Sequence, residues 1–160
     1  YYLIKEAEKA GYDPVLLKNA RKINNSMPQY TIELIKEELA KLKKDINGAK
    51  IGILGLSYKA NISDIRNSPA LEIIKLLKKE KAIIETFDPY VKEKSTSKSI
   101  NELLEKVDYI ILATNHDEFK LIDSELLKRN NIKIIIDGKN MLNKEEVKQK
   151  GIAYRGIGSK

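Results

Sequence analysis

The spacing of apolar residues changes near Asn47-Gly48, and this change divides the chain into two parts. Before this point, apolar residues recur every three or four positions, which is the spacing of amphipathic helices. After it, short and almost wholly apolar runs alternate with stretches of helical spacing. Apolar strands that alternate with helices are typical of a parallel sheet covered on both faces. The pattern therefore predicts an all-helical segment over 1–47 and an α/β domain over 48–160.

The α/β part is predicted to form a Rossmann-like parallel sheet with helices on both faces. Its strands are expected at Ile51–Leu54, Ala82–Phe87, Tyr109–Ala113, Lys133–Ile136 and Ile152–Tyr154. Its helices are expected at Pro69–Lys79, Ser99–Lys106, Ser124–Arg129 and Asn143–Lys150. We expect the strand order 3-2-1-4-5, in which strands one and four are neighbours where the order reverses.

The first 47 residues are predicted to contain three helices. These cover Tyr2–Ala10, Pro14 to about Asn25, and a stretch that follows Pro28. The last of them carries a narrow apolar stripe, formed by Ile32, Ile35, Leu39, Leu42 and Ile46. Such a stripe packs either on the helix's own domain or on another subunit or domain. The spacing leaves both alternatives open.

Composition restricts the possible functions. The net charge of +7 would suit nucleic-acid binding, but only four of the 30 basic residues are arginines, and all 30 are scattered among 23 acidic residues. Scattered lysines are typical of a solvated surface, so we expect no nucleic-acid partner. Cysteine is absent, which excludes a disulfide, a thiolate metal site and a cysteine nucleophile within these residues. With no secretory or membrane-spanning pattern, we expect a cytoplasmic protein without a membrane partner.

The candidate chemistry lies in the unusually long connection after the first strand, Leu56–Asn67. The turn Gly55–Ala60 lacks the second and third glycines of the dinucleotide fingerprint, so we do not expect NAD to bind there in the usual way. Instead, Lys59 and Arg66, with Lys139 after the fourth strand, would lie beside the helix that begins at Pro69. Three cations at a helix N-terminus favour a phosphate-bearing ligand, with Tyr58 covering its base or ribose. For each lysine alone, a plain surface role is the alternative.

Three other polar residues are given structural roles. Asp88 precedes Pro89 at the end of the second strand, so a turn is favoured over a ribose-binding acid. Asp64 is expected to hold Arg66 or to cap a turn. His116 is the only histidine, and nothing nearby in the sequence completes a catalytic pair or a metal site with it. No carboxylates have metal-ligand spacing, so no metal is expected.

Several stretches resemble one enzyme family. "GLSYKANISDIRNSPALEIIKLL", "FDPYV", "ATNHDEFK" and "IDGKNML" are similar to the nucleotide-sugar-binding domain of the UDP-glucose/GDP-mannose dehydrogenase family. The opening stretch "YYLIKEAEKAGYDPVLLKNARKINNSMP" is similar to the start of the family's central dimerisation segment. The resemblance covers essentially the whole chain. It implies a UDP-sugar substrate and a homodimer formed through the helix around 29–46.

The resemblance also assigns roles to residues. It implies that Tyr58 and Lys59 contact the UDP-sugar and that Arg66 reaches NAD, which the family binds mainly through an N-terminal domain missing here. Lys139 stands where the family commonly has arginine; lysine keeps the charge but loses the bidentate geometry. The family's catalytic cysteine would lie just upstream of Tyr1, so this chain is expected to be a piece of a longer protein, without catalytic residues and inactive alone.

The family reaction is the oxidation of a sugar 6-hydroxyl to a carboxylate with two NAD per turnover. The resemblance favours the branch acting on UDP-N-acetyl-D-mannosamine, with UDP-N-acetylglucosamine and UDP-glucose as alternatives. A stand-alone, non-catalytic nucleotide-binding module is the alternative of another class.

Overall fold

The computed structural model describes residues 2–158 and contains a five-stranded, all-parallel sheet. Its strands are β1 (Lys50–Leu54), β2 (Ile83–Phe87), β3 (Tyr109–Leu112), β4 (Ile134–Asp137) and β5 (Ala153–Gly156). Its helices are α1 (Tyr2–Lys9), α2 (Val15–Lys41), α3 (Pro69–Lys79), α4 (Ile100–Lys106), α5 (Ser124–Arg129) and α6 (Lys144–Gln149). Short 3₁₀ turns cover Lys92–Lys94 and Asp117–Leu121. The predicted Rossmann-like α/β class is confirmed.

The strand order is β2-β1-β3-β4-β5, so the expected order 3-2-1-4-5 is wrong. Leu54 at the end of β1 pairs with Phe87 on one side and with Leu112 on the other. β4 is therefore not a neighbour of β1, because β3 lies between them. The strand order reverses between β1 and β3, because β2 is added on one side of β1 and the later strands on the other. The crevice expected for a ligand therefore lies between the loops that follow β1 and β3.

Alternating side chains of the strands build two cores, one on each face of the sheet. On one face, Ile51, Ile53 and Ile111 pack against α2 and α3. On the other face, Ile110 and Leu112 pack against helices that include α4 and α5. Both faces are buried, as expected for strands that are apolar throughout.

The α2 helix runs unbroken from Val15 to Lys41, with Pro28 inside it. The expected interruption at Pro28 is therefore wrong. A proline removes one helical hydrogen bond. Here that loss is offset because Pro28 is itself buried and the following turns pack on the sheet. The helix also ends before Ile46, which enters the core from the connecting segment.

The apolar stripe of α2 packs on the chain's own sheet. Ile32, Ile35 and Leu39 are buried in the same core as β1, while Leu42 is 44% exposed. Arg155 of β5 adds an ion pair to the buried Glu38, at 3.0 Å. The structure therefore shows this stripe packed within the chain, against the sheet. The domain boundary at residue 47 stays a prediction.

The α1 helix and the part of α2 before Pro28 carry exposed apolar side chains. Leu16 is 81% exposed, Leu3 69% and Ile23 64%, and α1 buries none of its residues.

Within residues 2–158, no helix is both long and apolar enough to cross a membrane.

Candidate functional site

The loop that follows β1 is held by Asp88, a fully buried carboxylate at the end of β2. Its Oδ2 accepts the backbone N–H groups of Leu56, at 2.6 Å, and Ser57, at 2.9 Å. Its Oδ1 accepts the backbone N–H groups of Tyr90 and Val91, at 2.8 and 3.1 Å. The turn expected at Asp88 is confirmed. The same carboxylate also fixes a loop more than 30 residues earlier in the chain.

His116 lies beside this carboxylate and is also fully buried. Its Nε2 is 3.0 Å from Asp88 Oδ2 and 3.1 Å from Ser57 Oγ, and its Nδ1 accepts the backbone N–H of Asn61 at 2.9 Å. The structural role expected for His116 agrees with these contacts, which come from residues distant in the sequence. Serine, histidine and aspartate also form hydrolase triads. This trio is closed to solvent and its serine hydroxyl donates to the aspartate, at 2.7 Å, so it serves structure rather than attack on a ligand.

The ionisation of Asp88 depends on these partners. Burial opposes the charged form, but hydrogen bonds from His116, Ser57 and the Leu56 backbone outweigh it. The pKa of the Asp88 carboxyl is consequently held well below its ordinary value. The anchor is therefore a carboxylate anion at neutral pH.

Tyr58 and Lys59 project from the anchored loop. Tyr58 is 46% exposed, and its backbone N–H donates to the Asp64 carbonyl at 2.7 Å. The Lys59 ammonium lies 5.9 Å from the centre of the Tyr58 ring. Tyr58 lines a cavity of about 480 Å³ between the loop, α2 and α3; the other lining residues include Arg21, Asn24, Pro28, Pro69 and Lys75. A cavity of this size fits a small-molecule ligand.

Lys139 lies in the loop after β4, which is organised around a second buried carboxylate. Asp137 accepts the backbone N–H groups of Lys139 and Met141 and the phenol of Tyr154, at 2.8–3.0 Å. Burial, and after it the charge of Asp137, raise the pKa of the Tyr154 phenol. Lys139 lines a second cavity of about 160 Å³, which shares Asn24, Pro28 and Pro69 with the Tyr58 cavity. Tyr58 and Lys139 therefore line adjoining cavities, although β3 separates their strands.

Arg66 lies outside both cavities. Its side chain is 85% exposed and its guanidinium donates to Asp64, with Nη2 at 2.7 Å from Oδ2. This hydrogen bond lowers the pKa of the Asp64 carboxyl to about 2. The expected pairing of Asp64 with Arg66 is confirmed. Lys59 also lines neither cavity, so the structure does not gather the three predicted cations in one pocket.

Arg21 and Asn24 of α2 are residues of the Tyr58 cavity that the sequence pattern did not reveal. They lie far upstream of the loop and reach it only because α2 continues through Pro28. The scarcity of arginine in this chain is the one signal that would have pointed to Arg21. Among the described residues, no group of three or more histidine, aspartate or glutamate side chains could hold a metal ion.

Ser68 links this loop to α3 and provides a first prediction. Its hydroxyl accepts the Ala70 N–H and donates to the Ser57 carbonyl, both at 3.3 Å. We expect Ser68→Ala to lower the free energy of unfolding in urea by about 2 kcal/mol, because a helix cap and a buried hydrogen bond are lost together. Ser99→Ala, which removes only the cap of α4, should cost about 1 kcal/mol. Equal losses would contradict the link to Ser57.

Comparison with known proteins identifies the family. Residues 52–144, more than half of the chain, match the profile of the UDP-binding domain of the UDP-glucose/GDP-mannose dehydrogenase family. The chain belongs to this family. The matched stretch contains Tyr58, Lys59, Arg66 and Lys139, together with the Asp88 and His116 anchors.

Individual relatives of the family cover nearly the whole chain. A UDP-N-acetyl-D-mannosamine dehydrogenase of Pyrococcus horikoshii is 38% identical over 99% of this chain, and a UDP-glucose 6-dehydrogenase of Rickettsia felis is 33% identical over 92%. A solved structure of a UDP-D-ManNAc dehydrogenase from Pyrococcus horikoshii superposes with a TM-score of 0.85 at 37% identity, covering 96% of this chain and 36% of that one. The chain spans 36% and 35% of the two curated relatives' lengths.

Proposed function

We propose that this chain supplies the UDP-binding part of an NAD-dependent UDP-N-acetyl-D-mannosamine 6-dehydrogenase. The observation that carries the proposal is the match of residues 52–144 to the family's UDP-binding domain. Within that stretch, Tyr58 and Lys139 line adjoining cavities at the carboxyl edge of the sheet. That edge is where open α/β sheets bind their ligands.

In this proposal, each side chain has a distinct task. Tyr58 packs against the uridine, while Lys59 and Lys139 neutralise the diphosphate from the loops after β1 and β4. Lys59 lies outside the cavity that Tyr58 lines, but the ammonium is close to the Tyr58 ring and its long side chain can swing toward a bound phosphate. Arg66, exposed and held by Asp64, extends toward the cofactor.

The cofactor itself does not fit the first turn of this sheet. The backbone N–H groups of Leu56 and Ser57, which would face a pyrophosphate in a dinucleotide-binding turn, donate to Asp88 instead. We therefore propose that NAD is held mainly by the part of the parent protein outside this chain. Bound NAD would accept the hydrides removed from the sugar C6, and the residues of this chain would orient the UDP half and leave C6 facing that cofactor.

The substrate assignment rests on the relatives. The mannosamine enzyme of Pyrococcus horikoshii is more similar to this chain than the glucose enzyme of Rickettsia felis. UDP-N-acetylglucosamine and UDP-glucose are the alternative substrates. No cysteine is present to act as the nucleophile, so we propose that this chain binds UDP-sugar but catalyses nothing alone.

We also propose a cytoplasmic homodimer for the parent protein. The helix around 29–46 remains a candidate contact, but Ile32, Ile35 and Leu39 are buried within the chain. A dimer through this helix would have to use its exposed side chains, such as Tyr30 and Glu33.

Calorimetric titration of the chain with UDP-sugars tests the proposal. We expect UDP-sugars to bind, and Lys59→Ala or Lys139→Ala to weaken binding about tenfold or more, since each removes a charge-assisted contact worth about 1.5–3 kcal/mol. Lys128→Ala serves as the control, because Lys128 is an exposed lysine in the last turn of α5. Absence of UDP binding, or equal weakening by all three variants, would contradict the UDP site.

A second measurement separates the dehydrogenase from a stand-alone nucleotide-binding module. We expect the coding sequence upstream of Tyr1 to encode a cysteine within a G-x-C-x-P-x-D element. Its absence would favour the module, even if UDP binds.

A further inference from the structure

The segment that carries Tyr58 and Lys59 is held mainly by polar anchors. Before the segment, Ser57 is tied to Asp88. After it, the Asn61 backbone N–H donates to His116 Nδ1 at 2.9 Å, and the Asn61 side chain exchanges two hydrogen bonds with Asp117, at 2.7 and 3.0 Å. The conformation of Tyr58 and Lys59 therefore depends on two fully buried side chains, Asp88 and His116, and on an exposed pair, Asn61 and Asp117.

The contact with Asn61 determines where the imidazole proton lies. A backbone N–H only donates, so His116 Nδ1 must offer its lone pair. The proton of the neutral ring is then on Nε2, which faces Asp88 Oδ2 at 3.0 Å. The ring is thus required as one tautomer, with each nitrogen committed to a different loop.

Protonation of the ring would break only one of these two contacts. An imidazolium donates from both nitrogens, so its Nδ1–H would face the Asn61 N–H with no acceptor between them. The contact with Asp88 would survive and strengthen, because a carboxylate anion stabilises the imidazolium. The protonated ring would therefore stay beside Asp88 at the end of β2 but would lose the hydrogen bond from the Asn61 N–H.

The groups that face the ring support this asymmetry. Asp88 approaches from the end of β2, and Tyr90 stacks on the ring at 5.0 Å between centroids. From the 3₁₀ turn after β3, Phe119 contacts the ring edge, and Asp117 is paired with Lys120 and Asn61. The charged group in direct contact with His116 is thus the Asp88 carboxylate on Nε2, while Nδ1 faces only the Asn61 N–H.

We propose that His116 is a positioning residue that holds the Tyr58–Lys59 segment in its nucleotide-binding conformation only as the neutral, Nε2-protonated ring. This inference deepens the proposed function and rests on it as far as nucleotide binding is concerned. Protonation of His116 in acid would then break the hydrogen bond from the Asn61 N–H and make residues 58–61 less ordered. Binding of the diphosphate would weaken as a result. His116 touches neither substrate nor cofactor in this role.

The first test needs no ligand. His116 is the only histidine of the chain, so ¹⁵N-histidine labelling reports its tautomer and titration without assignment. We expect an unprotonated Nδ1 and a protonated Nε2 at neutral pH, and amide hydrogen exchange at 58–61, corrected for its intrinsic pH dependence, to rise as the ring titrates. An Nδ1–H tautomer, or exchange that stays constant through the titration, would overturn the proposal.

The second test uses variants and a ligand whose diphosphate diester does not titrate, UDP-N-acetylglucosamine. His116→Asn places an uncharged acceptor near the Nδ1 position. We expect this variant to bind the ligand within about threefold of the affinity of the unmodified protein at neutral pH. Its affinity should not fall at acid pH, unlike that of the unmodified protein. His116→Leu removes the acceptor and should weaken binding about tenfold at every pH. Asn61→Gly, which keeps the backbone donor and tolerates the positive φ of 60°, should retain the pH dependence.

The outcomes separate this proposal from the proposed function. If no UDP-sugar binds, the proposed function fails, while the tautomer and exchange measurements still decide the role of His116. If UDP-sugar binds with the same pH dependence in His116→Asn as in the unmodified protein, the UDP site stands and the positioning role is overturned.

Discussion

Asp88→Ala is expected to lower the free energy of unfolding by about 3–5 kcal/mol, because several buried donors are left without an acceptor at about 1–3 kcal/mol each. Six donors lose the carboxylate as acceptor, namely the backbone N–H groups of Leu56, Ser57, Tyr90 and Val91, the Ser57 hydroxyl and His116 Nε2. The Val91 N–H also donates to the Asp88 carbonyl, at 3.3 Å, and keeps that acceptor. Buried donors without a partner are costly. Urea unfolding followed by circular dichroism measures the loss.

Two controls isolate the role of the buried carboxylate. Asp123→Ala removes the exposed cap of α5 and should cost only about 1 kcal/mol.

Because the pKa of folded Asp88 lies below its ordinary value of 3.8, its ionised form stabilises the fold above about pH 4, and this contribution disappears as the pH falls below that value. The stability of Asp88→Ala should therefore fall less steeply in acid. A loss of under 1 kcal/mol at neutral pH would contradict the anchor.

Gly55→Ala is expected to cost about 3 kcal/mol or more. Gly55 follows β1 with a φ of +90°, and a Cβ there would lie 2.5 Å from Thr114 Cβ and 2.8 Å from the Thr114 backbone nitrogen. The substitution combines backbone strain of about 1–3 kcal/mol with overpacking of about 1–3 kcal/mol. Thermal and urea unfolding measure the effect, and binding of UDP-sugar should weaken as well because the loop is displaced.

Gly48→Ala is the matched control for this prediction. Gly48 also has a positive φ, of +78°, but a Cβ there would meet nothing within 4 Å. Only the strain of a positive φ at an alanine remains, so we expect the free energy of unfolding to fall by about 1–2 kcal/mol. If both variants lose the same amount, the close approach of the β1 and β3 loops is not what requires Gly55.

The glycine pattern of this turn illustrates what a local motif predicts. The absence of the second and third fingerprint glycines indicated that the turn does not hold a dinucleotide in the usual way. In the structure, the two amides that follow Gly55 donate to Asp88. The motif indicated that a dinucleotide is disfavoured at this turn, but not that Asp88 accepts the hydrogen bonds of the two amides.

Helix starts and strands were predicted well from neighbouring residues. Ser68-Pro69 does begin α3, and each predicted strand overlaps the observed one. Both depend on side-chain periodicity and capping, which act over a few residues. Pro28 is the exception, since packing on the sheet outweighs a local break that would end an isolated helix.

The amino-acid order alone was enough for the α/β class, the bounds of most elements and the candidate cations, because periodicity, caps and residue chemistry are local properties. Only the folded chain decided that β3 lies beside β1, that Ser57, Asp88 and His116 meet, and that Tyr58 and Lys139 line adjoining cavities. The contacts among Ser57, Asp88 and His116 join residues 28 to 59 positions apart, and all of these juxtapositions depend on the path of each crossover connection. No local pattern encodes that path, since the same strands and helices are compatible with several sheet orders.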